Sequence, residues 1–348
     1  MAVPLRTSAC RRPSLIGSLS FALLLASLPS PAAFGPIIGI MTQAIDINDT
    51  SAGTMVVAHY VKWLESHGAR IVPLRLDAPD EEVDFVLSRI NGVLLPGGGD
   101  LFDIHHPYGR YSYRVWQTVE KMRMPFWGVC MGLHQAMLYS SGEAFPGPIT
   151  NGWDAAPMFG PLSLRSPLSS NATLVRDMPL PLREEAARSP WTWHHHSKST
   201  GIEDFEKRPA LRDKWEVLAT NVDGKGKEFV SLVQARNGLP FFGSQFHSEK
   251  NIYEWEVPLS APFNGSLPAH SAGAIKLSNY FAEFFVNQAR GFRSFGFTEE
   301  EFWGRSIRLG SVHHAANFPG LEWAGPNMEL YWFPPMSNVK TYQTARLV

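Results

Sequence analysis

Apolar and polar residues alternate along the first half of the chain in blocks that predict buried strands separated by helices. Apolar runs predict strands over 36–41, 69–74, 92–95 and 125–129. Helical spacing or composition predicts helices over 54–67, 80–90, 113–121 and 131–139. Because buried strands that alternate with helices form parallel sheets covered on both faces, we expect an α/β domain.

The second half of the chain has a different pattern. Residues 142–214 are rich in proline and serine and alternate in polarity, which predicts antiparallel hairpins and loops. Short strands are expected at 215–219, 229–233 and 241–246, with Asp223-Gly224 as a turn between the first two. An apolar stripe predicts a helix over 271–290. We expect the extension from about residue 291 to pack on the domain as loops.

Residues 1–33 have the layout of a signal peptide. Arg6, Arg11 and Arg12 precede an apolar run over 15–28, and small residues and prolines follow it. The run is shorter than the roughly 20 residues needed to span a bilayer. We therefore predict cleavage near Ala32 or Ala33, a mature domain over 34–348 without a membrane span, and passage through the secretory pathway.

Charge and sequons agree with this interpretation. Three of the 31 basic residues lie in 1–33 and none of the 32 acidic residues does, so the remaining domain is acidic. An acidic domain argues against binding to nucleic acid through phosphate neutralisation. Three asparagines in Asn-x-Ser/Thr sequons are candidate glycosylation sites: Asn48, Asn171 and Asn264.

Of the two cysteines, one lies in the predicted signal peptide and the other in the predicted mature domain. Cys10 lies in the predicted signal peptide, which leaves Cys130 without a disulfide partner. A lone cysteine on the secretory route is either an inert buried thiol or a catalytic one. Here Gly128 and Gly132 flank it between a predicted strand and a predicted helix, the spacing of a nucleophile elbow. The start of a helix also favours the reactive thiolate.

A histidine and a glutamate follow the predicted strand 241–246. In extended chain, residues two apart face the same way, so Glu249 is expected to contact one nitrogen of His247 while the other nitrogen faces Cys130. A lone His-x-Glu pair is more typical of a surface ion pair. Together with the elbow, the pair predicts a Cys–His–Glu triad.

A glycine-rich turn ends the predicted strand 92–95. Pro96 is followed by Gly97, Gly98 and Gly99, and glycine lets backbone N–H groups point into a site. One of these N–H groups, with that of Met131, is expected to stabilise the oxyanion of a tetrahedral intermediate. A simple turn or a phosphate loop is the alternative for such a run.

These three elements, in this order, resemble class I glutamine amidotransferases, and longer stretches resemble γ-glutamyl hydrolases. The stretches lie at 60–66 with 68–70, 90–92 into 96–98, 245–247 through 253–255, and 280–287. The resemblance implies a flavodoxin-like three-layer sandwich, with a mostly parallel central sheet and added antiparallel strands. It also implies hydrolysis of γ-glutamyl amide bonds in pteroyl polyglutamates or related conjugates, through a cysteine thioester.

Carried to this sequence, the resemblance implies one role for each matched residue. Cys130 is the nucleophile, His247 the base and Glu249 its orienter. The oxyanion donors are Gly98 and Met131, and the candidate substrate contacts are His194, His134 and Gly97.

Two positions depart from the family pattern. Ser248 stands where the family usually has proline, which frees a backbone N–H and loosens φ. His134, one helical turn after Cys130, stands where related enzymes often have glutamate or glutamine. We expect the first to affect the rigidity of the triad and the second to alter pocket polarity and pH dependence.

The resemblance implies a small-molecule γ-glutamyl substrate, no metal and no organic cofactor, a homodimer, and a lysosomal, vacuolar or extracellular location. Three alternatives stay open. One is a glutaminase unit that releases ammonia for a synthase, and another is an inactive γ-glutamyl-binding relative. The third is a zinc protein that uses His194, His195 and His196, although no second ligand cluster with metal spacing accompanies them.

Overall fold

The computed structural model describes residue 1 and residues 35–46, 49–99, 102–255, 267–319, 321 and 325–336. The predicted signal peptide and the sequons at Asn48 and Asn264 fall outside these ranges, so they stay predictions. Asn171 is described and is exposed. Within the described ranges, no helix combines the length and the apolar character needed to cross a membrane.

Strands and helices alternate through the first half of the chain and become more irregular in the second. The strands are β1 (Ile37–Met41), β2 (Gln43–Asp46), β3 (Asp49–Val57), β4 (Arg70–Leu74), β5 (Gly92–Leu95), β6 (Phe126–Val129), β7 (Thr150–Gly160), β8 (Ser163–Leu164), β9 (Thr192–Ser199), β10 (Trp215–Val222), β11 (Glu228–Ala235), β12 (Phe241–Ser244), β13 (Ser311–His314) and β14 (Glu329–Phe333). The helices are α1 (Ala58–Glu65), α2 (Asp80–Leu87), α3 (Pro107–Met122), α4 (Met131–Ser141), α5 (Thr173–Arg176), α6 (Leu180–Ala186), α7 (Ile202–Glu206), α8 (Pro209–Lys214), α9 (Lys250–Tyr253), α10 (Ala272–Gly291) and α11 (Glu299–Trp303).

The central sheet has eight strands in the order β4-β1-β5-β6-β12-β11-β10-β8. The pairs from β4 to β12 are parallel. The pairs from β12 to β8 are antiparallel. The predicted mostly parallel sheet with added antiparallel strands is therefore confirmed.

Two apolar clusters cover the two faces of this sheet. Strand β1 divides between them, because Ile38 and Ile40 lie in one cluster while Ile37 and Met41 lie in the other. Helices α1 and α10 supply the first cluster, and α2, α3 and α4 supply the second. Burial of both faces explains the near-continuous apolar strands and gives the predicted three layers.

Two predictions of local structure were wrong. The predicted helix 54–67 begins only at Ala58, because Thr54 to Val57 belong to β3. The tail is not made of loops: α11, β13 and β14 form there. Strand β14 pairs with β3 in a second, four-stranded sheet of order β13-β14-β3-β2. A partner strand at the other end of the chain thus overrides the helical pattern.

The middle of the chain is partly as predicted. Strands β7 and β9 form the expected antiparallel pair. The connecting segments also contain the short helices α5 to α8, which the alternating pattern did not predict. Strand β9 carries the three consecutive histidines and pairs with β7. It lies beside the segment that follows β12 in the central sheet, because the backbone N–H of His247 donates to the Trp193 carbonyl at 2.9 Å.

Candidate active site

Cys130 lies at the junction of β6 and α4 with a strained backbone. Its φ of 51° lies in a region that L side chains rarely adopt, and its ψ is −104°. The flanking glycines are required by space: a Cβ on Gly132 would lie 2.1 Å from the Leu95 carbonyl oxygen. A Cβ on Gly128 would lie 2.6 Å from backbone atoms of Gly132. The predicted strand–turn–helix elbow is therefore present, with cysteine at its apex.

The structure brings Cys130, His247 and Glu249 together. The His247 Nδ1 atom is 2.7 Å from Oε1 of Glu249, and Cys130 interacts electrostatically with the His247 ring. All three residues are buried. The extended geometry expected for the pair was wrong, because Glu249 has helical angles (φ −66°, ψ −25°) in a turn that leads into α9. A turn, rather than a strand, brings the carboxylate to the ring.

The charges around His247 favour the protonated form of its ring, the imidazolium. Burial alone lowers the pKa of His247, but the Glu249 carboxylate and Cys130 outweigh it and raise the pKa to about 9. Burial alone raises the pKa of Glu249, but the positive charge of His247 holds it below its usual value. The arrangement can therefore keep a protonated imidazole next to the cysteine sulfur at neutral pH.

The glycine turn after β5 lies against the triad. A Cβ on Gly97 would lie 2.5 Å from Cε1 of His247 and 3.2 Å from Cβ of Cys130. The Gly97 N–H donates to the Tyr60 hydroxyl at 2.9 Å. A Cβ on Gly98 would lie 1.9 Å from Nε2 of Gln43. A side chain is thus excluded at Gly97, while the roles of Gly98 and Met131 as oxyanion donors stay predictions.

Tyr60 is a site residue that the sequence analysis did not identify. It lies in the first turn of α1 and is buried. Besides accepting from Gly97, its hydroxyl lies beside the Glu249 carboxylate; burial and the charges of Glu249 and Cys130 raise its pKa well above the usual value. Its apolar helical spacing suggested only a core position, and the sole signal was its place in a stretch that resembles the γ-glutamyl hydrolases.

His194 is fully buried in β9, and both of its ring nitrogens have partners. Nε2 is 3.1 Å from Oγ1 of Thr192, and Nδ1 is 3.3 Å from Nε2 of His196. The Nδ1 of His196 is 2.9 Å from the Lys198 carbonyl, which can only accept, so this nitrogen carries the proton. A neutral His196 then accepts from His194. The predicted contact of His194 with substrate stays a prediction, since these partners occupy the ring.

His134 and Ser248, the two departures from the family pattern, are both buried. The Nε2 atom of His134 is 2.8 Å from Oε1 of Gln245, two residues before His247. The Ser248 carbonyl accepts from the Ser278 hydroxyl at 2.6 Å, which anchors the turn between His247 and Glu249 to α10. In the described part of the chain, no group of three histidine, cysteine or acidic side chains is arranged to hold a metal ion, so the zinc alternative gains no support.

Comparison with known proteins identifies the family. The glutamine amidotransferase class-I family model matches residues 51–259, a segment that contains all three triad residues. The γ-glutamyl hydrolase of Bos taurus is 34% identical over 276 residues, which cover 76% of this chain and 81% of that protein. This chain belongs to the γ-glutamyl hydrolase family. The γ-glutamyl hydrolase of Homo sapiens is 32% identical, with 73% and 78% covered. Gamma-glutamyl hydrolase B of Dictyostelium discoideum is 30% identical, with 78% and 77% covered.

The family resemblance inferred from the motifs is therefore confirmed. The matched segment ends at residue 259, before α10 and the second sheet's β13 and β14. The elbow, the glycine turn and the His-x-Glu turn all lie inside it. The segment that matches the glutamine amidotransferase class-I model thus contains the residues that form the site.

Acid is expected to destabilise this protein, because buried histidines near the site resist protonation. Burial lowers the pKa of His134 from 6.5 to about 4 and that of His194 to about 3. The unfolded chain takes up these protons first, so these two histidines do not affect the stability above pH 6.5. It falls between pH 6.5 and the folded pKa, by up to about 1.4 kcal/mol per pH unit for each such histidine.

The urea midpoint should therefore decrease from pH 7 to pH 5. It should decrease less steeply in His134→Gln, whose amide can still donate to Gln245. The exposed His105→Gln is the matched control and should follow the unmodified protein. A His134→Gln slope equal to that of the control would contradict the assignment.

Proposed function

We propose that this protein hydrolyses γ-glutamyl amide bonds in pteroyl poly-γ-glutamates or related γ-glutamyl conjugates, through a thioester on Cys130. The observation that carries the proposal is the buried His247 ring, which bonds to Glu249 at 2.7 Å and interacts electrostatically with Cys130. The relatives named γ-glutamyl hydrolase, whose lengths this chain covers by about three quarters or more, support the choice of bond.

The reaction follows from the charges of the triad. The Cys130 thiolate attacks the γ-carbonyl carbon, and the oxyanion is held by backbone N–H groups of Gly98 and Met131. The His247 imidazolium gives its proton to the departing amine, which leaves a thioester and a neutral ring. The ring then takes a proton from water, hydroxide attacks the thioester, and Cys130 is released. Glu249 keeps the ring oriented and stabilises its charge.

The strain at Cys130 fits this role. Cys130 adopts a φ of 51°, which is unusual for a residue other than glycine. Its backbone N–H donates to the Ser244 carbonyl at 2.7 Å, and this bond helps to hold the elbow with the sulfur above the end of β6. The same geometry places the sulfur at the first turn of α4, where the helix dipole favours negative charge. Backbone strain of this kind is typical of functional positions.

We expect selectivity for γ-linked over α-linked glutamyl bonds. The triad can process any accessible amide, so discrimination has to come from groups that bind the free α-carboxylate, which the α-linked isomer consumes in the scissile bond. A buried group left unpaired costs roughly 1–3 kcal/mol, or about 5- to 150-fold in kcat/KM. The experiment compares pteroyl γ-diglutamate with its α-linked isomer at acidic and neutral pH by released glutamate.

Each outcome of this comparison has a distinct meaning. Preference for the γ-linked isomer supports the proposal. Equal cleavage of both isomers would indicate a general cysteine peptidase, and release of ammonia from free glutamine alone would indicate the glutaminase alternative. Binding of the γ-linked substrate without cleavage would indicate the inactive relative.

A further inference from the structure

Two buried side chains outside the triad contact the glycine turn that follows β5. The N–H of Gly97 donates to the Tyr60 hydroxyl at 2.9 Å. At the next residue, the three heavy atoms nearest to a Cβ on Gly98 would all belong to the side-chain amide of Gln43, with Nε2 at 1.9 Å. Both Tyr60 and Gln43 are buried. The turn is therefore contacted from outside at two consecutive residues.

Both side chains are attached to the second sheet. Gln43 is the first residue of β2, and Tyr60 lies in the first turn of α1, which begins directly after β3. Strand β2 pairs with β3, and β14 from the C-terminal extension pairs with β3 on its other edge. Lys62 of α1 also forms an ion pair with Glu329 at the start of β14. The glycine turn is thus contacted by a sheet that the C-terminal extension completes.

Such contacts matter here because glycine does not restrict its own conformation. Gly97, Gly98 and Gly99 are consecutive, and glycine populates more backbone conformations than any other residue. An oxyanion is stabilised best by N–H groups that already point at its position before the reaction begins. A run of three glycines meets this condition only when neighbouring groups restrict it.

The two contacts also distinguish between the N–H groups of the turn. The N–H of Gly97 is occupied by Tyr60, and Gly97 is buried. Gly98 is exposed, so a substrate can reach its backbone. Gly97 lies against the triad, because a Cβ on it would be 2.5 Å from Cε1 of His247 and 3.2 Å from Cβ of Cys130. Gly98 therefore offers an accessible N–H one residue away from the contact with the triad.

We propose that Tyr60 and Gln43 are positioning residues, which hold the glycine turn so that Gly98, and not Gly97, donates to the oxyanion. This inference rests on the proposed function and deepens it. Tyr60 fixes the turn by accepting from Gly97, and Gln43 restricts Gly98 by filling the space beside its α-carbon. Both act through the backbone of the turn. An oxyanion forms in acylation and again in deacylation, so loss of this support slows both steps.

The main test compares turnover with alkylation of the same sulfur in Tyr60→Phe. Hydrolysis passes through an oxyanion, whereas iodoacetamide reacts with the Cys130 thiolate by displacement of iodide and forms none. Phenylalanine keeps the ring but removes the acceptor of the Gly97 N–H. We expect kcat on pteroyl γ-diglutamate to fall about 10- to 100-fold with little change in KM, since loss of a whole oxyanion donor costs roughly 10²- to 10³-fold. The rate of Cys130 alkylation should be unchanged.

Tyr280→Phe is the matched control for the loss of a tyrosine hydroxyl. The Tyr280 hydroxyl on α10 donates to the Leu174 carbonyl of α5 at 2.9 Å, so this variant also loses a hydrogen bond to the backbone, and its kcat should be unchanged. Gln43→Ala should lower kcat without slowing alkylation. The double variant Tyr60→Phe/Gln43→Ala should lose less than the product of the two single factors, because both side chains support one turn.

The outcomes separate this inference from the proposed function. Undiminished kcat in Tyr60→Phe, or an equal loss in Tyr280→Phe, would overturn the inference, and so would multiplicative losses in the double variant. An equal fall in kcat and in the alkylation rate would also overturn it, because Tyr60 would then act on the nucleophile rather than on the turn. In each of these cases the unmodified protein still cleaves pteroyl γ-diglutamate, and the function stands. No cleavage by the unmodified protein would overturn the proposed function itself.

Discussion

Replacement of Cys130 by alanine is expected to abolish turnover while the chain still folds. The change removes the sulfur that forms the thioester, and members of a triad act as a unit, so the loss in kcat should be on the order of 10⁴-fold or more. The β6–α4 elbow depends on Gly128 and Gly132 rather than on the sulfur, so the fold should persist. The measurements are kcat/KM on pteroyl γ-diglutamate, and circular dichroism with thermal unfolding for the fold.

Cys130→Gly provides a matched control for the strained backbone. Glycine adopts φ 51° without the cost of roughly 1–3 kcal/mol that a side chain incurs in such regions. We expect this variant to be inactive as well, with a Tm at or above that of Cys130→Ala. Iodoacetamide should inactivate the unmodified protein by labelling Cys130, since Cys10 is the only other cysteine of the chain. Turnover by folded Cys130→Ala would show that another group is the nucleophile.

The elbow could be predicted because its determinants are local. Gly128 and Gly132 lie within two residues of Cys130, and the tight turn excludes side chains at both positions. The pairing of β3 with β14 could not be predicted in the same way, because the four residues before α1 fit a helix until a distant strand is available. The sequence therefore predicted the elbow, whose determinants lie close together in the chain, but not the contacts that depend on the second sheet.

The triad shows an intermediate case. The pairing of His247 with Glu249 was predicted correctly, but through extended geometry that the structure replaces with a turn. Residues two apart can make contact both in an extended strand and in a turn, so the residue types, rather than the assumed conformation, predicted the contact. Tyr60 and the partners of His194 required the tertiary structure, because contacts between residues far apart in the sequence bring α1 and β9 to the triad.

His247→Asn is expected to lose nearly as much activity as Cys130→Ala, and Glu249→Gln considerably less. Asparagine removes both the proton carrier and the charge next to Cys130. Glutamine can still accept from Nδ1 of His247 and hold the ring, but it no longer stabilises the imidazolium, so we expect a deficit about 100-fold smaller than that of His247→Asn. The exposed Glu283→Gln on α10 is the control and should leave kcat/KM unchanged.

The pH profile distinguishes this role from a merely structural one. The Glu249 carboxylate helps raise the pKa of His247 to about 9, so the imidazolium that protonates the leaving amine is lost as the pH rises through that value. The alkaline limb of kcat/KM should therefore lie near pH 9 in the unmodified protein. It should shift to lower pH in Glu249→Gln, because the buried ring then loses its strongest source of positive-charge stabilisation. A reduced rate with an unshifted alkaline limb would mean that Glu249 only packs against His247, and equal, negligible effects of both substitutions would remove the pair from the mechanism.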